Sequence, residues 1–288
     1  MKKKIMLVDG MALLFRGFFA TSYRGYFMYT SKGVPTNGVY QFCRYLLDAI
    51  RTFEPTNVVC CWDVSSKTFR TEMYDQYKAN RQDPPEELVP QFDLVKEVVD
   101  SFDIPNIELN NYEADDCIGS LARKYEADHD IYILTGDLDM LQLVNDNISV
   151  IIMRKGIGNY ETFTKENFYE KRGIHPEQYI DFKGLTGDSA DNYPGVKGIG
   201  EKTALRLLND YETVERLMEN IEDLTPALKR NLANDEKMYK LSRELAAIKC
   251  DLPFECILED STWAIDRMKV SDMFKALEFK NIEQLLEE

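Results

Sequence analysis

Four short apolar runs in the first half of the chain constrain its fold more than any other feature. They cover residues 5–8, 58–62, 131–134 and 148–153. Amphipathic helical patterns lie between them, around residues 11–20, 37–53, 86–102 and 114–126. Continuous apolar strands that alternate with helices are typical of a parallel sheet covered on both faces. The sequence therefore predicts an α/β fold with a mostly parallel central sheet flanked by helices.

Three of the predicted strands are followed by carboxylates. Asp9 follows the first strand, Asp63 the second, and Asp137 with Asp139 the third. One Asp after a strand is common, because Asp is a good turn residue and helix cap. In open α/β sheets, however, the ligand site lies beyond the carboxyl ends of the strands. We therefore expect these four carboxylates to face one crevice.

A second acidic feature, Glu113-Ala114-Asp115-Asp116, opens a helical pattern just before the third strand. Asn110, three residues before Glu113, is typical of a helix start with a capping box. The helix macrodipole stabilises negative charge at this end, which would explain one acid better than three. Helical spacing places residues 113 and 116 on one face and turns 115 away. Convergence of all three therefore requires Glu113 at the cap, or a bound cation.

Seven carboxylates in one crevice cannot all stay ionised without compensating positive charge, since like charges raise each other's pKa. The neighbouring sequence offers few cations, and neither His129 nor His175 lies in an acidic motif. Oxygen-only ligands suit Mg²⁺ or Mn²⁺. So many ligands favour two metal ions, which clamp the attacking and leaving oxygens of a phosphodiester when they lie about 4 Å apart.

The stretch 183–204 combines two further acids with a glycine-rich turn. Asp188 and Asp191 lie in a polar loop, and residues 195–200 read Gly-Val-Lys-Gly-Ile-Gly before a helical pattern that starts at Lys202. Glycines let a backbone approach a phosphate closely, and free N–H groups at a helix start donate to it. The pattern predicts a hairpin that holds a nucleic-acid backbone without reading its sequence. A plain glycine-rich helix–helix turn is the alternative.

Residues 64–108 separate the two halves of the predicted sheet. Basic and aromatic residues alternate between residues 67 and 81, before Pro84-Pro85 and an amphipathic helix. This alternation suits a single nucleic-acid strand, with cations on the phosphates and rings on the bases. A solvated helix with core aromatics would show the same pattern.

Composition limits the class of protein. The 288 residues carry 50 acids and 35 bases, a net charge of −15. This argues against a simple basic nucleic-acid binder, but not against an enzyme whose acids hold cations. The six cysteines lack metal-like spacing and suit a reducing compartment. Without a signal sequence or a run of 18 apolar residues, we expect a cytoplasmic protein that does not bind membranes.

Together these motifs resemble the 5′-nuclease family, which contains flap endonucleases and 5′–3′ exonucleases. The resemblance is strongest at residues 112–116, 135–139 and 183–204, and it extends from Val8 to about residue 250. It looks most like the N-terminal nuclease domain of bacterial DNA polymerase I and its free-standing relatives. Since the sequence contains no polymerase or proofreading segment, we expect a complete chain of this length to work unlinked to a polymerase.

The resemblance implies specific roles for individual residues. The family's first metal site matches Asp9, Asp63, Glu113 and Asp115, with Asp116 beside them, and its second matches Asp137, Asp139, Asp188 and Asp191. Lys78 and Arg81 match basic positions of the family's helical arch, about residues 64–108, and would stabilise charge on the scissile phosphate. The implied DNA contacts are Phe15, Arg16, Arg70, Gly195, Val196, Lys197, Gly198, Ile199, Gly200 and Lys202. The family's hairpin also binds K⁺ through backbone carbonyls, which would fall at 195–200.

The resemblance also implies the overall organisation and activity. Residues 1–180 would form the nuclease domain with its arch, and residues 181–288 a helical DNA-binding region with a helix-hairpin-helix at about 183–208. The expected activity is structure-specific 5′ cleavage by two Mg²⁺ or Mn²⁺ ions, in DNA replication and repair. The expected substrates are DNA with 5′ flaps, 5′ overhangs or nicks, RNA-primed ends among them, and we expect a monomer.

Two other interpretations remain open. A phosphohydrolase with an Asp nucleophile would explain why Asp137-Leu138-Asp139 follows a strand, and it predicts a phospho-aspartate. That interpretation leaves the 195–200 hairpin and the pair Asp188 and Asp191 unexplained. A non-catalytic protein that binds branched DNA would use the arch and the hairpin, but its nine carboxylates would repel phosphate unless they were neutralised.

Overall fold

The centre of the protein is a six-stranded sheet in the computed structural model, which describes residues 2–25, 27–255 and 258–280. The strands are β1 (Lys3–Asp9), β2 (Asn57–Cys61), β3 (Asn106–Ile107), β4 (His129–Thr135), β5 (Ile148–Met153) and β6 (Tyr160–Phe163). Their order is β3-β2-β1-β4-β5-β6, with β6 antiparallel to β5 and the other neighbours parallel. The predicted mostly parallel sheet is confirmed, and the two strands that were not predicted lie at its edges.

Helices cover the sheet and form the C-terminal part of the chain. Those before residue 175 are α1 (Gly10–Thr21), α2 (Asn37–Phe53), α3 (Phe69–Met73), α4 (Gln91–Ser101), α5 (Ala114–Tyr125) and α6 (Lys165–Arg172). Those after it are α7 (Tyr179–Thr186), α8 (Glu201–Tyr211), α9 (Val214–Glu219), α10 (Pro226–Asn234), α11 (Glu236–Ala246) and α12 (Arg267–Ala276). The predicted helical patterns correspond to α1, α2, α4 and α5.

Both faces of the sheet are buried, as its continuous apolar strands require. Alternate residues of β1 show the division. Val8 packs on one face with α1, α2 and α4, around the buried Trp62, and Leu7 packs on the other with α5 and the helices that follow β6. Since both faces are covered, the ends of the strands form the uncovered edge of the sheet.

The strand order reverses at β1, which has β2 on one side and β4 on the other. Ligand sites of open α/β sheets lie at such a point, beyond the carboxyl ends of the strands. Asp9 is the last residue of β1 and the N-cap of α1. Asp63 and Asp137 each lie two residues beyond the end of a neighbouring strand. The fold thus brings three predicted acids to one edge.

Residues 64–108 do not form a single helical insertion, which corrects the predicted extent of the arch. The helix α3 is short, and residues 74–90 consist largely of turns. The helix α4 instead packs into the core through Val95, Val98 and Val99. The segment before α4 also packs on the rest of the fold, since Leu88 is buried in the core and Tyr77 is buried beside Tyr193.

The C-terminal part is helical as predicted, but its last described segment returns to the α/β core. The Val58 N–H donates to the Ser261 carbonyl at 2.9 Å, and Val270 and Phe274 of α12 are fully buried beside α4. Residues 258–280 therefore stabilise the N-terminal half. The domain division at residue 180 stays a prediction, and the returning segment packs across that division. Residues 281–288 lie outside the described ranges.

Two expectations from composition concern membranes and cysteines. Within the described ranges, none of the helices combines the length and the apolar character needed to cross a membrane. Cys43, Cys60, Cys61 and Cys117 are buried free thiols, and Cys250 is a partly buried one. Cys256 lies outside the described residues.

Candidate active site

A cavity of about 740 Å³ lies beyond the carboxyl ends of β1, β2 and β4. Its wall contains seven of the predicted acids, from separate segments of the chain. These are Asp9, Asp63, Glu113, Asp115, Asp137, Asp139 and Asp188. The structure therefore brings these side chains together, and their assignment as metal ligands stays a prediction.

Asp9 is held by hydrogen bonds that connect two strand ends. The Ala12 N–H donates to Asp9 Oδ1 at 2.9 Å, and Thr135 Oγ1 donates to Asp9 Oδ2 at 2.7 Å. Thr135 Oγ1 also accepts from the Asp137 N–H at 3.0 Å, and Asp137 Oδ1 accepts from the Asp139 N–H at 2.8 Å. Burial and the neighbouring acidic charges raise the pKa of Asp9 to about 7, although its two hydrogen bonds lower it. A carboxylate in such surroundings is stabilised by a nearby cation.

The start of α5 positions three further acids, namely Asp63, Glu113 and Asp115. Glu113 is the N-cap, so the helix begins three residues later than a capping box at Asn110 would place it. Asp63 Oδ1 accepts from the Ala114 N–H at 2.7 Å, which uses one free N–H group of the helix. Burial and the charges of Asp137 and Asp9 raise the pKa of Asp115 well above its ordinary value.

Asp116 was predicted beside the first metal site, and that prediction is wrong. The side chain is fully buried, away from the cavity, and its two oxygens accept from Arg70 Nη1 and Nη2 at 2.7 and 2.8 Å. Asp116 also accepts from the Glu113 N–H at 3.0 Å and from the Lys249 N–H at 2.8 Å. As the third residue of α5, it completes the capping box and points into the protein.

Arg70 was predicted to contact DNA, and that prediction is also wrong. The residue is 2% exposed. Besides its two bonds to Asp116, Arg70 donates from Nε to the Leu245 carbonyl at 2.9 Å and from Nη2 to the Ala247 carbonyl at 2.8 Å. Its charge therefore joins α3 to α5 and to the end of α11.

Lys78 and Arg81 line the cavity from the segment before α4, as the arch interpretation requires. Lys78 Nζ lies 2.9 Å from Glu113 Oε1, and Arg81 Nη2 lies 2.6 Å from Asp191 Oδ1. The Lys78 N–H also donates to the Asp191 carbonyl at 2.9 Å. Asp191, predicted for the second metal site, thus faces these cations and is not part of the cavity wall.

Lys183 of α7 is a site residue that the sequence analysis did not assign. It is 8% exposed, its Nζ lies 2.5 Å from Asp139 Oδ1, and it also pairs with Asp188. Burial lowers the pKa of Lys183, but the two acids outweigh burial and hold that pKa above its ordinary value. Burial and Asp137 raise the pKa of Asp139 to about 7, although Lys183 opposes them. One feature of the sequence could have identified Lys183 as a site residue, namely its place on the helix that leads into the acidic loop.

The donors of the cavity suit a hard divalent cation. All seven acids offer oxygen, and burial raises the pKa of several of them, so added positive charge would stabilise their ionised forms. As the side chains stand, no three acids, cysteines or histidines of the described ranges converge tightly enough to hold a metal ion. Glu113, Asp139 and Asp188 contact lysines, and those contacts would have to open for an ion to bind.

The two predicted residues of α1 differ in position. Phe15 lines the cavity and lies near the rings of Phe19 and Phe92, at centroid distances of 6.2 and 5.9 Å. Arg16 lies over the ring of Tyr45, at 5.9 Å from its centroid. Phe15 is therefore part of the cavity wall, whereas the guanidinium of Arg16 packs on α2.

Residues 195–200 form part of the connection between α7 and α8. Gly195 has a φ of +64°, and a Cβ on it would lie 2.3 Å from the Gly187 nitrogen, so only glycine fits. The Gly195 N–H donates to Ser242 Oγ at 3.2 Å, and the Val196 N–H donates to the Leu185 carbonyl at 2.9 Å.

These bonds correct part of the predicted phosphate contact. The N–H groups of Gly195 and Val196 are already used, the Ile199 N–H donates to the Val196 carbonyl at 3.1 Å, and all three residues are buried. They shape the turn and do not face solvent. Four of the predicted contacts are exposed, namely Lys197, Gly198, Gly200 and Lys202, and their contact with DNA stays a prediction.

Comparison with known proteins gives a consistent result along the chain. A family model described as the 5′–3′ exonuclease N-terminal resolvase-like domain matches residues 4–173, and the 5′–3′ exonuclease C-terminal SAM fold matches residues 174–269. A 5′–3′ exonuclease of Bacillus subtilis (strain 168) is 50% identical over 284 residues, which are 99% of this chain and 96% of that protein. DNA polymerase I of Bacillus caldotenax is 41% identical over 290 residues, covering 100% of this chain but 33% of the polymerase.

Solved structures show the same fold. The T5 5′-exonuclease with bound zinc superposes with a TM-score of 0.68 at 21% identity, over 96% of this chain and 98% of that one. A T5 flap endonuclease complex with DNA and metal ions gives a TM-score of 0.67 at 20% identity, over 99% and 100%. The catalytic core of Rad2 with DNA gives 0.61 at 17% identity, over 99% and 90%.

Proposed function

The chain belongs to the 5′–3′ exonuclease family, and from that premise we propose that it is a structure-specific 5′ nuclease acting on DNA flaps and 5′ ends. The family suggested by the motifs is thereby confirmed. The observation that carries the proposal is the cavity at the reversal of strand order, where seven acids meet the cations Lys78, Arg81 and Lys183. Such a cavity suits a polyanionic substrate only if divalent cations offset the acids.

Two groups of acids are the proposed metal ligands. Asp9, Asp63, Glu113 and Asp115 would hold one Mg²⁺ or Mn²⁺ ion, and Asp137, Asp139 and Asp188 a second. Bound ions of this kind stabilise charge on a phosphoryl group and lower the pKa of water. Divalent ions are present in the T5 structures of this fold, which supports the assignment.

The chain's own cations would hold the scissile phosphate. Burial lowers the pKa of Lys78, but Glu113 and Asp191 outweigh it, so the ammonium stays charged. The side chain of Arg81 is 54% exposed, and it would have to leave Asp191 to turn toward the substrate. Once they contact the phosphate, these cations would stabilise the charge that develops there in the transition state. Phe15 offers a ring on which a terminal base can stack.

Outside the cavity, we propose that Lys197, Gly198, Gly200 and Lys202 bind the backbone of the duplex part of the substrate. The carbonyls of residues 195–200 would hold K⁺, and stabilisation of the fold by KCl but not by NaCl would check this. The enzyme would act as a monomer in the cytoplasm on flaps, overhangs and nicks, RNA-primed ends among them. Free buried thiols suit that compartment.

The test of the function is a 5′-flap DNA labelled at its 5′ end, incubated in Mg²⁺ and in EDTA. We expect a released flap oligonucleotide in Mg²⁺ and none in EDTA. Asp137→Ala should abolish cleavage while folding survives. The control is Asp146→Ala, which removes an exposed acid paired with Lys165 outside the cavity and should leave cleavage unchanged.

Full activity of Asp137→Ala, or cleavage in EDTA, would contradict the metal-dependent mechanism. Release of mononucleotides alone would restrict the activity to a 5′ exonuclease. DNA binding without any product in Mg²⁺ or Mn²⁺ would favour the non-catalytic binder instead.

A further inference from the structure

Arg172 is a fourth cation at the cavity, and its surroundings differ from those of the other three. Lys78, Arg81 and Lys183 each contact a carboxylate. Arg172 lines the same cavity, but in the described part of the chain no acid pairs with it, and its buried Nε has no hydrogen-bond partner. A buried donor without an acceptor is unfavourable by about 1–3 kcal/mol. Arg172 therefore has hydrogen-bonding capacity beside the cavity that no described acid uses.

A buried ring lies beside the guanidinium of Arg172. Arg172 is the last residue of α6, and its Cζ lies 5.7 Å from the centroid of the Tyr179 ring. Tyr179 is 1% exposed and lines the cavity, as does Lys183, about one turn further along α7. The face of an aromatic ring attracts a guanidinium without using its N–H donors.

Arg172 belongs to the side of the cavity that contains Asp139. Burial raises the pKa of Tyr179 to about 12, and the charges of Arg172, Asp139 and Lys183 all act on the same phenol. These groups come from α6, α7 and the turn after β4. Lys78 and Arg81 instead come from the segment between α3 and α4. The cavity thus receives cations from two separate parts of the fold.

We propose that Arg172 binds a backbone phosphate of the DNA strand that enters the cavity, on the wall formed by α6 and α7. This inference rests on the proposed function. A guanidinium offers two parallel N–H donors that match two phosphate oxygens, and among the described residues no carboxylate pairs with Arg172. The strand would then be held by Arg172 on one wall and by Lys78 and Arg81 on the other.

A purely structural role for Arg172 is the alternative. A positive charge at the C-terminal end of a helix stabilises it, and Arg172 lies in the last turn of α6. Lys171 lies in the same turn, but its Nζ is 3.5 Å from Glu161 Oε1 and donates to the Thr162 carbonyl at 3.0 Å. Lys171→Ala therefore removes a charge from the same helix end without changing the cavity, which makes it the matched control.

The first experiment measures the binding of 5′-flap DNA to the full chain over a range of salt concentrations, with Ca²⁺ in place of Mg²⁺ so that a hard divalent cation offsets the acids of the cavity. We expect Arg172→Ala to weaken binding about tenfold and to reduce the slope of log Kd against log salt by about one. Arg172→Lys should keep the slope but recover only part of the affinity, because an ammonium lacks the two parallel donors. Lys171→Ala should match the wild type in both quantities.

The second experiment locates the phosphate. Single methylphosphonate linkages, which remove the charge of one phosphate, are placed in turn along the flap strand around the cleavage site. We expect one position at which the substitution weakens binding by the wild type but not by Arg172→Ala. Arg172→Gln, which retains polar atoms on the stem, provides a second variant in case Arg172→Ala does not fold.

Two outcomes would overturn the proposal. One is an Arg172→Gln protein that binds DNA with the wild-type affinity and salt slope. The other is a methylphosphonate series in which both variants lose affinity at every position as the wild type does. Failure of the proposed function would look different, because the wild type itself would then release no product from the flap DNA in Mg²⁺.

Discussion

The ion pair between Arg70 and Asp116 permits a test that separates a structural carboxylate from a metal ligand. Both side chains are buried, at 2% and 0% exposure, and two hydrogen bonds of 2.7 and 2.8 Å join them. Removing one partner leaves an uncompensated buried charge, which is unfavourable by about 3–5 kcal/mol. The bonds that Asp116 accepts from the Glu113 and Lys249 N–H groups would be lost as well.

We expect Asp116→Ala to lower the free energy of unfolding in EDTA by about 4 kcal/mol, and Arg70→Met to lower it by a similar amount. The double variant should be destabilised by at least about 2 kcal/mol less than the sum, because the second substitution removes the charge that the first leaves unpaired. Asp115→Ala is the matched control. Asp115 lines the cavity among other acids, so its removal relieves repulsion and should leave stability in EDTA unchanged or higher.

Urea unfolding followed by circular dichroism measures these differences, first in EDTA and then with Mg²⁺. If Asp116 is structural, Asp116→Ala retains the stabilisation that Mg²⁺ gives, whereas Asp115→Ala loses much of it. An Asp116→Ala protein that is as stable as the wild type in EDTA, but is not stabilised by Mg²⁺, would show that Asp116 is a metal ligand. That result would refute its assignment to the protein interior.

Three further predictions concern the cavity and the hairpin. In EDTA, the free energy of unfolding should fall as the pH rises from about 4 to about 7, because Asp9 and Asp139 have a pKa of about 7 when folded and near 3.8 when unfolded. The folded state then binds protons that the unfolded state has released, and urea titrations should show a flatter profile for Asp9→Asn than for the wild type. Lys78→Ala should slow single-turnover flap cleavage about 10²–10³-fold, and an unchanged rate would exclude its role. Gly195→Ala should lower the free energy of unfolding by about 2–3 kcal/mol, because its Cβ would overlap the Gly187 nitrogen at a positive φ, and an unchanged melting temperature would contradict this.

The positions of the acids that follow strands were predictable, because all strands of a parallel sheet end at the same edge. Asp9, Asp63 and Asp137 needed only the apolar runs before them and the rule that ligand sites lie beyond the carboxyl ends. Asp116 was not predictable in this way. Helical spacing groups it with Glu113, but Glu113 is the N-cap and not part of the helix. The cap conformation lets Glu113 reach the cavity while Asp116 turns to Arg70.

Other features depend on contacts that are distant in the sequence. The strand β3 has two residues, too few for a periodic pattern, and it forms because β2 is beside it. The return of residues 258–280 to the core is set by partners such as Val58, about 200 positions earlier. Arg70 is a cation in a segment where basic and aromatic residues alternate, so the sequence favours a DNA contact. Only its hydrogen bonds with Asp116 and the end of α11 show that it is internal.

The acids and cations of the cavity differ in how they are held. Asp9, Asp63, Asp137 and Asp188 each accept a main-chain N–H at Oδ1, from Ala12, Ala114, Asp139 and Ala190 respectively. Main-chain donors keep their positions when the charge in the cavity changes, so these carboxylates are preorganised by the backbone. Lys78, Arg81 and Lys183 instead reach the acids with long side chains, which under the proposed function would move to a phosphate without a change of fold. Fixed carboxylates with adjustable cations are what a nuclease needs if its ligands must stay in place while a long polyanion enters and leaves.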